Sequence, residues 1–200
     1  TTTMKTYTTY SILFDLFFLG FSLQQGLAQT FTLDNSQSTM KVEGTSNLHD
    51  WEIDVEALRG TLEVEQNGES ITFKKLSLKI EAESLKSGKR AMDKNTFKAL
   101  DTDEHKYLTY TLKKVLDVQQ TSASTYTVKT SGSLSIAGTT QTVTIPFQMQ
   151  VEKESVSLTG AHDLQMTAYN IEPPTALFDT ITTGDTVKIN FETTFINQTL

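Results

Sequence analysis

From residue 29 onward apolar and polar positions alternate with a period of two, the mark of strands that bury one face and wet the other. "DWEIDVEA" at 50–57 sets Trp51, Ile53 and Val55 on one face, with Glu52, Asp54 and Glu56 opposite. After Arg59-Gly60, "TLEVE" repeats the pattern with Leu62 and Val64. "NGES" at 67–70 reads as a hairpin turn, because Asn-Gly tolerates the positive φ that such turns require. The next strand is long. Ile71 and Phe73 alternate, the phase slips at Lys74-Lys75, and Leu76, Leu78, Ile80 and Ala82 resume. Such a slip turns the apolar set to the wrong face unless a bulge absorbs it, so a bulge is predicted at Lys74-Lys75.

Further strands are predicted at Phe31–Leu33, Met40–Ser46, Tyr107–Val118, Tyr126–Ile136, Val143–Val151, Val156–Met166 and Val187–Phe195. "AGTTQ" at 137–141 reads as a turn, and "EPPTALFD" at 172–179 as a proline-bound loop that cannot sit in a central strand. One stretch departs from the pattern: Ser87 to His105 carries Ala91, Met92, Phe97 and Leu100 among charges, with Ser87 and Asp93 as capping candidates. A short amphipathic helix covering one end of the sheet is expected there. About eight or nine strands and no compositional break point to one all-β domain. Eight antiparallel strands close into a barrel that side chains fill or that holds one small ligand.

The beginning of the chain follows other rules. Met4 and Lys5 give a short positive start, Ser11–Leu23 is mostly apolar, and Gly26-Leu27-Ala28 offers small residues for cleavage before Gln29. This reads as a secretory signal over 1–28, leaving 29–200 as a single domain outside the cytoplasm, periplasmic or secreted. The apolar run falls short of the roughly 20 residues that span a bilayer, so no stable membrane span is expected after cleavage. The sequence contains no Cys, so a packed core must stabilise it without disulfides. A net charge of −7, with Lys and Glu interspersed, disfavours nucleic acid as a partner. A homodimer is among the assemblies the sequence allows.

Candidate chemistry is sparse. His49-Asp50 suggests a carboxylate-oriented base, but adjacent strand residues face opposite ways. The three His, at 49, 105 and 162, are too widely spaced to match a local metal motif. "GDT" at 184–186 and "AGTT" at 137–140 lack the Lys and the strand-to-helix context of a phosphate loop. The expectation is therefore no catalysis, no metal and no cofactor, with a secreted enzyme using His49 or His162 as the rival. The large apolar residues Trp51, Phe73, Leu78, Tyr110, Phe147, Met149, Met166 and Phe191 fit either a filled core or the wall of a ligand cavity.

Four segments in order carry a family resemblance: "LDNSQSTMKVEGTSNLHDW" at 33–51, "MDKNTFKALDTDEHKYLTYTL" at 92–112, "SGSLSIAGTTQTVTIPF" at 131–147 and "MTAYNIEPPTALFDTITTGDTVKINFETTF" at 166–195. From about Phe31 to Phe195 the chain resembles the YceI-like proteins, exported lipid- or polyisoprenoid-binding proteins. The resemblance implies an eight-stranded antiparallel lipocalin-like barrel with a short helix, Met92–Leu100, near its mouth. It also implies an apolar interior for a long isoprenoid or similar amphiphile, and makes those eight residues the expected ligand-binding set. His105, Tyr107 and Tyr110 are the expected polar end. Many members have a His-Ser step after the first strand and a second His before a glycine. Here Gln37-Ser38 and "LHDW" stand near those places, which marks a GTSNLHDW branch whose ligand identity is open. A filled barrel serving as an envelope interaction module is the remaining alternative.

Overall fold

A computed structural model describes Thr2 and residues 28–67, 70–178 and 180–197. The segment read as a signal, 1–28, lies outside them apart from Thr2 and Ala28, as do the centre of the 67–70 turn and Asp179 of the 172–179 loop.

Among the described residues the strands are β1 (Ala28–Ser46), β2 (Trp51–Val55), β3 (Leu58–Asn67), β4 (Ser70–Glu81), β5 (Leu85–Lys86), β6 (Tyr107–Gln120), β7 (Thr125–Ile136), β8 (Thr139–Val151), β9 (Ser155–Gln165), β10 (Thr175–Ala176) and β11 (Ile181–Asn197), with one α-helix, α1 (Arg90–Leu100). Antiparallel pairing runs β1-β3-β4-β6-β7-β8-β9-β11, and β11 returns to β1 from Phe31↔Asn197 to Ser46↔Thr183. Eight strands thus close a barrel, as expected, and the closed ladder leaves none of the eight as a free edge. The short β2, β5 and β10 lie outside this ring. Over Lys41–Gly44, β1 pairs β2 instead of β3, and β2 in turn carries β5.

The predicted bulge is present. Lys75 faces Glu63 and Phe73 faces Val64, which leaves Lys74 over. Ile71, Phe73 and Leu76 can therefore all be buried, while Lys74 Nζ pairs with Glu65 outside at 2.7 Å. The two segments expected at 31–33 and 40–46 are instead one bent strand. Between Asp34 and Thr39 its register breaks, and Asp34 accepts hydrogen bonds from Ser36 N (2.9 Å), Ser36 Oγ (2.6 Å) and Gln37 Nε2 (2.7 Å). Those local bonds give the backbone an alternative to the ladder. They also hold the Asp34 carboxyl below its ordinary pKa, the Ser36 side chain contributing most. β6 contains two irregularities, at Leu112/Lys114 and Val115/Asp117, that alternation did not reveal. Ala82 belongs to a 3₁₀ turn, Ala82–Ser84, and not to β4.

In α1 the predicted capping pair acts in reverse. Lys89 is the N-cap residue and makes no side-chain cap, while Asp93 Oδ1 accepts Ser87 N at 2.8 Å and Ser87 Oγ at 2.6 Å. Asp101 ends the helix in the left-handed region at φ 50°, and Thr102 N–H donates to Phe97 O at 3.1 Å. The apolar stripe of α1 faces the barrel: Leu100 is buried, and Met92 and Ala99 pack against the core. One end of the barrel is solid. Phe31, Leu62, Val128, Met149, Val156 and Phe195 are fully enclosed there, with Phe73 and Phe147 edge to face at 6.3 Å.

The bulge supplies a register test. Deleting Lys74 should lower urea-denaturation stability by ~3 kcal/mol or more, because one set of apolar side chains must turn outward. Lys74→Ala removes only an exposed ion pair and should cost less than about 1 kcal/mol.

Candidate functional site

The other end of the barrel is organised by "GTSNLHDW". Gly44 in β1 sits opposite Trp51 in β2, and a Cβ at residue 44 would collide with the indole ring. Only glycine lets the ring lie flat across the strand. The indole Nε1 donates to Thr45 O at 3.0 Å, so its one polar atom is satisfied. Ser46 closes the turn: its Oγ accepts from Leu48 N (3.2 Å) and His49 N (3.1 Å) and donates to His49 O (2.7 Å). Asn47 ties the turn to the start of β11. Its Nδ2 donates to Thr180 O (2.9 Å), its Oδ1 accepts Thr182 N (3.0 Å), and its backbone N–H donates to Thr182 O (3.1 Å).

Beneath this turn and α1 lies a cavity of about 350 Å³. Val42, Leu108, Ile136, Leu164, Val187 and Ile189 form its barrel wall, Ile53 joins them from β2, and Met92, Ala99 and Leu100 form its helical wall. Trp51, Leu85, Ala91, Met166, Ile171, Pro174, Ala176 and Ile181 complete the apolar surface. The polar lining comes from Ser46, His49, Lys89, Asn95, Thr96, Thr175 and Thr183. An apolar body with a few polar groups is the usual composition of a small-molecule pocket, and the volume lies at the low end of the roughly 300–1,000 Å³ such pockets span. A second cavity of about 70 Å³ lies deeper, among Met40, Leu78, Tyr110, Phe147, His162 and Phe191.

The structure distributes the eight expected ligand residues over three environments. Trp51 and Met166 line the large cavity; Leu78, Tyr110, Phe147 and Phe191 line the small one. Phe73 and Met149 belong to the packed core and border neither. The expected polar end is not assembled at the large cavity. Tyr110 OH shares a hydrogen bond with Thr130 Oγ1 at 3.0 Å beside the small cavity, and burial raises its pKa. Tyr107 is 47% exposed beneath Lys79, whose Nζ is 3.6 Å from the ring centroid. His105 packs on the tight turn between β7 and β8, where Ala137 and Gly138 take φ of 46° and 75°. A Cβ on Gly138 would come within 2.7 Å of the His105 ring.

The geometry at His49 does not assemble a carboxylate-oriented base. Its Nδ1 bonds the backbone carbonyl of Asp50 at 2.8 Å, not the Asp50 carboxylate. Among the described residues no three His, Cys, Asp or Glu side chains gather as a metal-binding group. His162 faces the small cavity, and burial lowers its pKa, with Asp163 opposing in part. What sequence reasoning missed was the wall itself. Val187 and Ile189 belong to a strand that alternation predicts, but alternation does not distinguish a residue beside a void from one in the packing.

Comparison with known proteins places these features in a family. The family model of the YceI-like domain matches residues 31–195. The fold is similar to that of Burkholderia cenocepacia BcnA, with a TM-score of 0.62 at 17% identity over 81% of this chain and 98% of that one. A polyisoprenoid binding domain from Saccharophagus degradans, implicated in plant cell wall breakdown, gives a TM-score of 0.65 at 15% identity over 84% and 99%. The Campylobacter jejuni YCEI protein gives 0.56 at 16% identity over 98% and 100%. No curated protein matches the sequence.

Two outcomes are expected at this site. Gly44→Ala should displace the Trp51 ring, shift the emission of the chain's single Trp to the red, and lower stability by ~1–3 kcal/mol in urea denaturation. His162 should contribute a pH dependence. Its folded-state pKa lies below the ordinary 6.5, so the unfolded chain binds a proton that the folded chain does not. Stability from this group is full above pH 6.5 and falls as the pH drops below it, until the folded-state pKa is reached. Denaturation midpoints of wild type and His162→Gln across that window should converge if His162 is the source, and parallel curves contradict it.

Proposed function

The chain belongs to the YceI-like domain family, and from that premise we propose that it is an exported protein, periplasmic or secreted, that carries or stores an apolar or amphipathic lipid of the polyisoprenoid-like kind. The observation that carries this is the cavity at the barrel mouth, whose deep wall is apolar and whose polar groups His49, Lys89 and Asn95 come from the turn, the N-cap of α1 and the middle of that helix. Each buried methylene contributes roughly 0.8 kcal/mol, so the chain of the ligand supplies the affinity. The polar groups orient its head. The barrel binds without transforming its ligand: His49 is oriented by a backbone carbonyl, and His162 lines the separate, smaller cavity.

An envelope interaction module is the second reading, favoured by three exposed apolar side chains. Leu48 is 65% exposed, Leu177 67% and Phe178 102%. Asn47, beside Leu48, bonds Thr180, whose N–H in turn reaches Leu177 O at 3.3 Å, so the three share one rim. A rim of this kind also suits delivery of lipid to and from a membrane.

Native mass spectrometry of protein purified from its own host should show a co-purifying lipid. Ala99→Phe, which fills the large cavity from the α1 side, should keep the fold and weaken lipid binding at least about tenfold. Repeated absence of lipid together with no uptake from vesicles would refute the carrier function.

A further inference from the structure

The two cavities follow one another along the barrel, and one residue, Ile189, lines both. On β11, Val187, Ile189 and Phe191 point inward at successive levels. Val187 borders only the large cavity, Phe191 only the small one, and Ile189 both. The neighbouring strand shows the same division, since Leu164 lines the upper cavity and His162, the register partner of Ile189, lines the lower. On β6 it falls between Leu108 above and Tyr110 below.

We infer that Ile189 is the floor of the binding site and sets the length of the chain it accepts. The inference rests on the lipid-binding function proposed above and narrows its ligand. A water-sized unit occupies roughly 30 Å³, and a methylene is about that size, so about 350 Å³ takes about a dozen chain carbons. The ligand is a single-chain amphiphile with about that many carbons inside. A longer polyisoprenoid leaves the remainder of its chain outside the mouth. Below the floor, about 70 Å³ would hold roughly two more carbons, and an Ile→Ala change frees room for about three.

The test is a series of saturated n-alkyl carboxylates, from about eight to about twenty carbons, kept below micelle-forming concentrations. Binding is followed by Trp51 emission and by calorimetry. In wild type, Kd should fall roughly fourfold per added carbon up to about twelve carbons and then level off. Ile189→Ala should move that break about two to five carbons longer, and Ile189→Val about one. Phe191→Leu, which enlarges only the lower cavity, should leave the break where it was. Thermal melts show which variants fold, and the Val variant reads the same quantity if the Ala variant does not. Wild-type binding with no break, or a break unmoved in the folded Ile189 variants, overturns the role of Ile189 alone. No binding at any length by wild type removes the carrier function with it.

Discussion

Everything in this molecule depends on the hydrogen-bonded return of β11 to β1. That ladder runs from Phe31↔Asn197 to Ser46↔Thr183, with two register shifts, and turns a meander of strands into a cylinder. Closure satisfies the backbone groups that an open sheet would leave on its edges. It also commits the inward residue of every alternating pair to a space of fixed width. With eight strands, whether that space is solid or hollow is decided by side-chain size alone. Leu33, Leu62, Met149 and Phe195 fill one end. At the other, Val42, Ile53, Val187 and Ile189 are too short to meet across the axis, and α1 covers the opening without filling it.

The mouth is held by backbone-directed hydrogen bonds more than by charge. Ser46 and Asn47 fix the turn after β1 and bind it to the start of β11, so the wall that carries Trp51 and the loop that carries Thr175 stay in register. Gly44 has a steric role, admitting the indole where any side chain would exclude it. The ion pairs from Lys41 to Glu52 (3.0 Å) and Asp54 (3.5 Å) lie on the outer face, where solvent screens them. In "GTSNLHDW", therefore, Gly, Ser, Asn and Trp carry the structural load, and the adjacent His49 and Asp50, which first suggest catalysis, do not form a catalytic pair.

Alternation made the barrel legible because Trp51, Ile53 and Val55, or Val187, Ile189 and Phe191, can share a face only as strands. The slip at Lys74 was legible for the same reason. The irregularities in β6 were not, because "LKKVLDV" offers apolar residues in both phases. Nor was the continuity of β1 across 35–38, where Asp34, Ser36 and Gln37 signal a turn and the ladder resumes beyond it. The site was harder to read. Large side chains were natural choices for ligand contacts, yet bulk fills space: Phe73 and Met149 close the core, while smaller Val42, Leu108 and Val187 leave the room. The helical wall from Met92, Ala99 and Leu100 depends on where α1 docks, which local sequence does not specify.

The central claim is that the chain of the ligand occupies the cavity beneath the turn and α1 and ends against Ile189. Intermolecular NMR contacts measure this directly, using a ligand labelled at its terminal methyl and protein labelled at Ile, Leu and Val methyls. Contacts from the terminal methyl to Val187 and Ile189, with the head of the ligand near Asn95, are the predicted result. Contacts confined to Leu48 and Leu177 on the rim, with the Val187 and Ile189 signals unmoved, would contradict it.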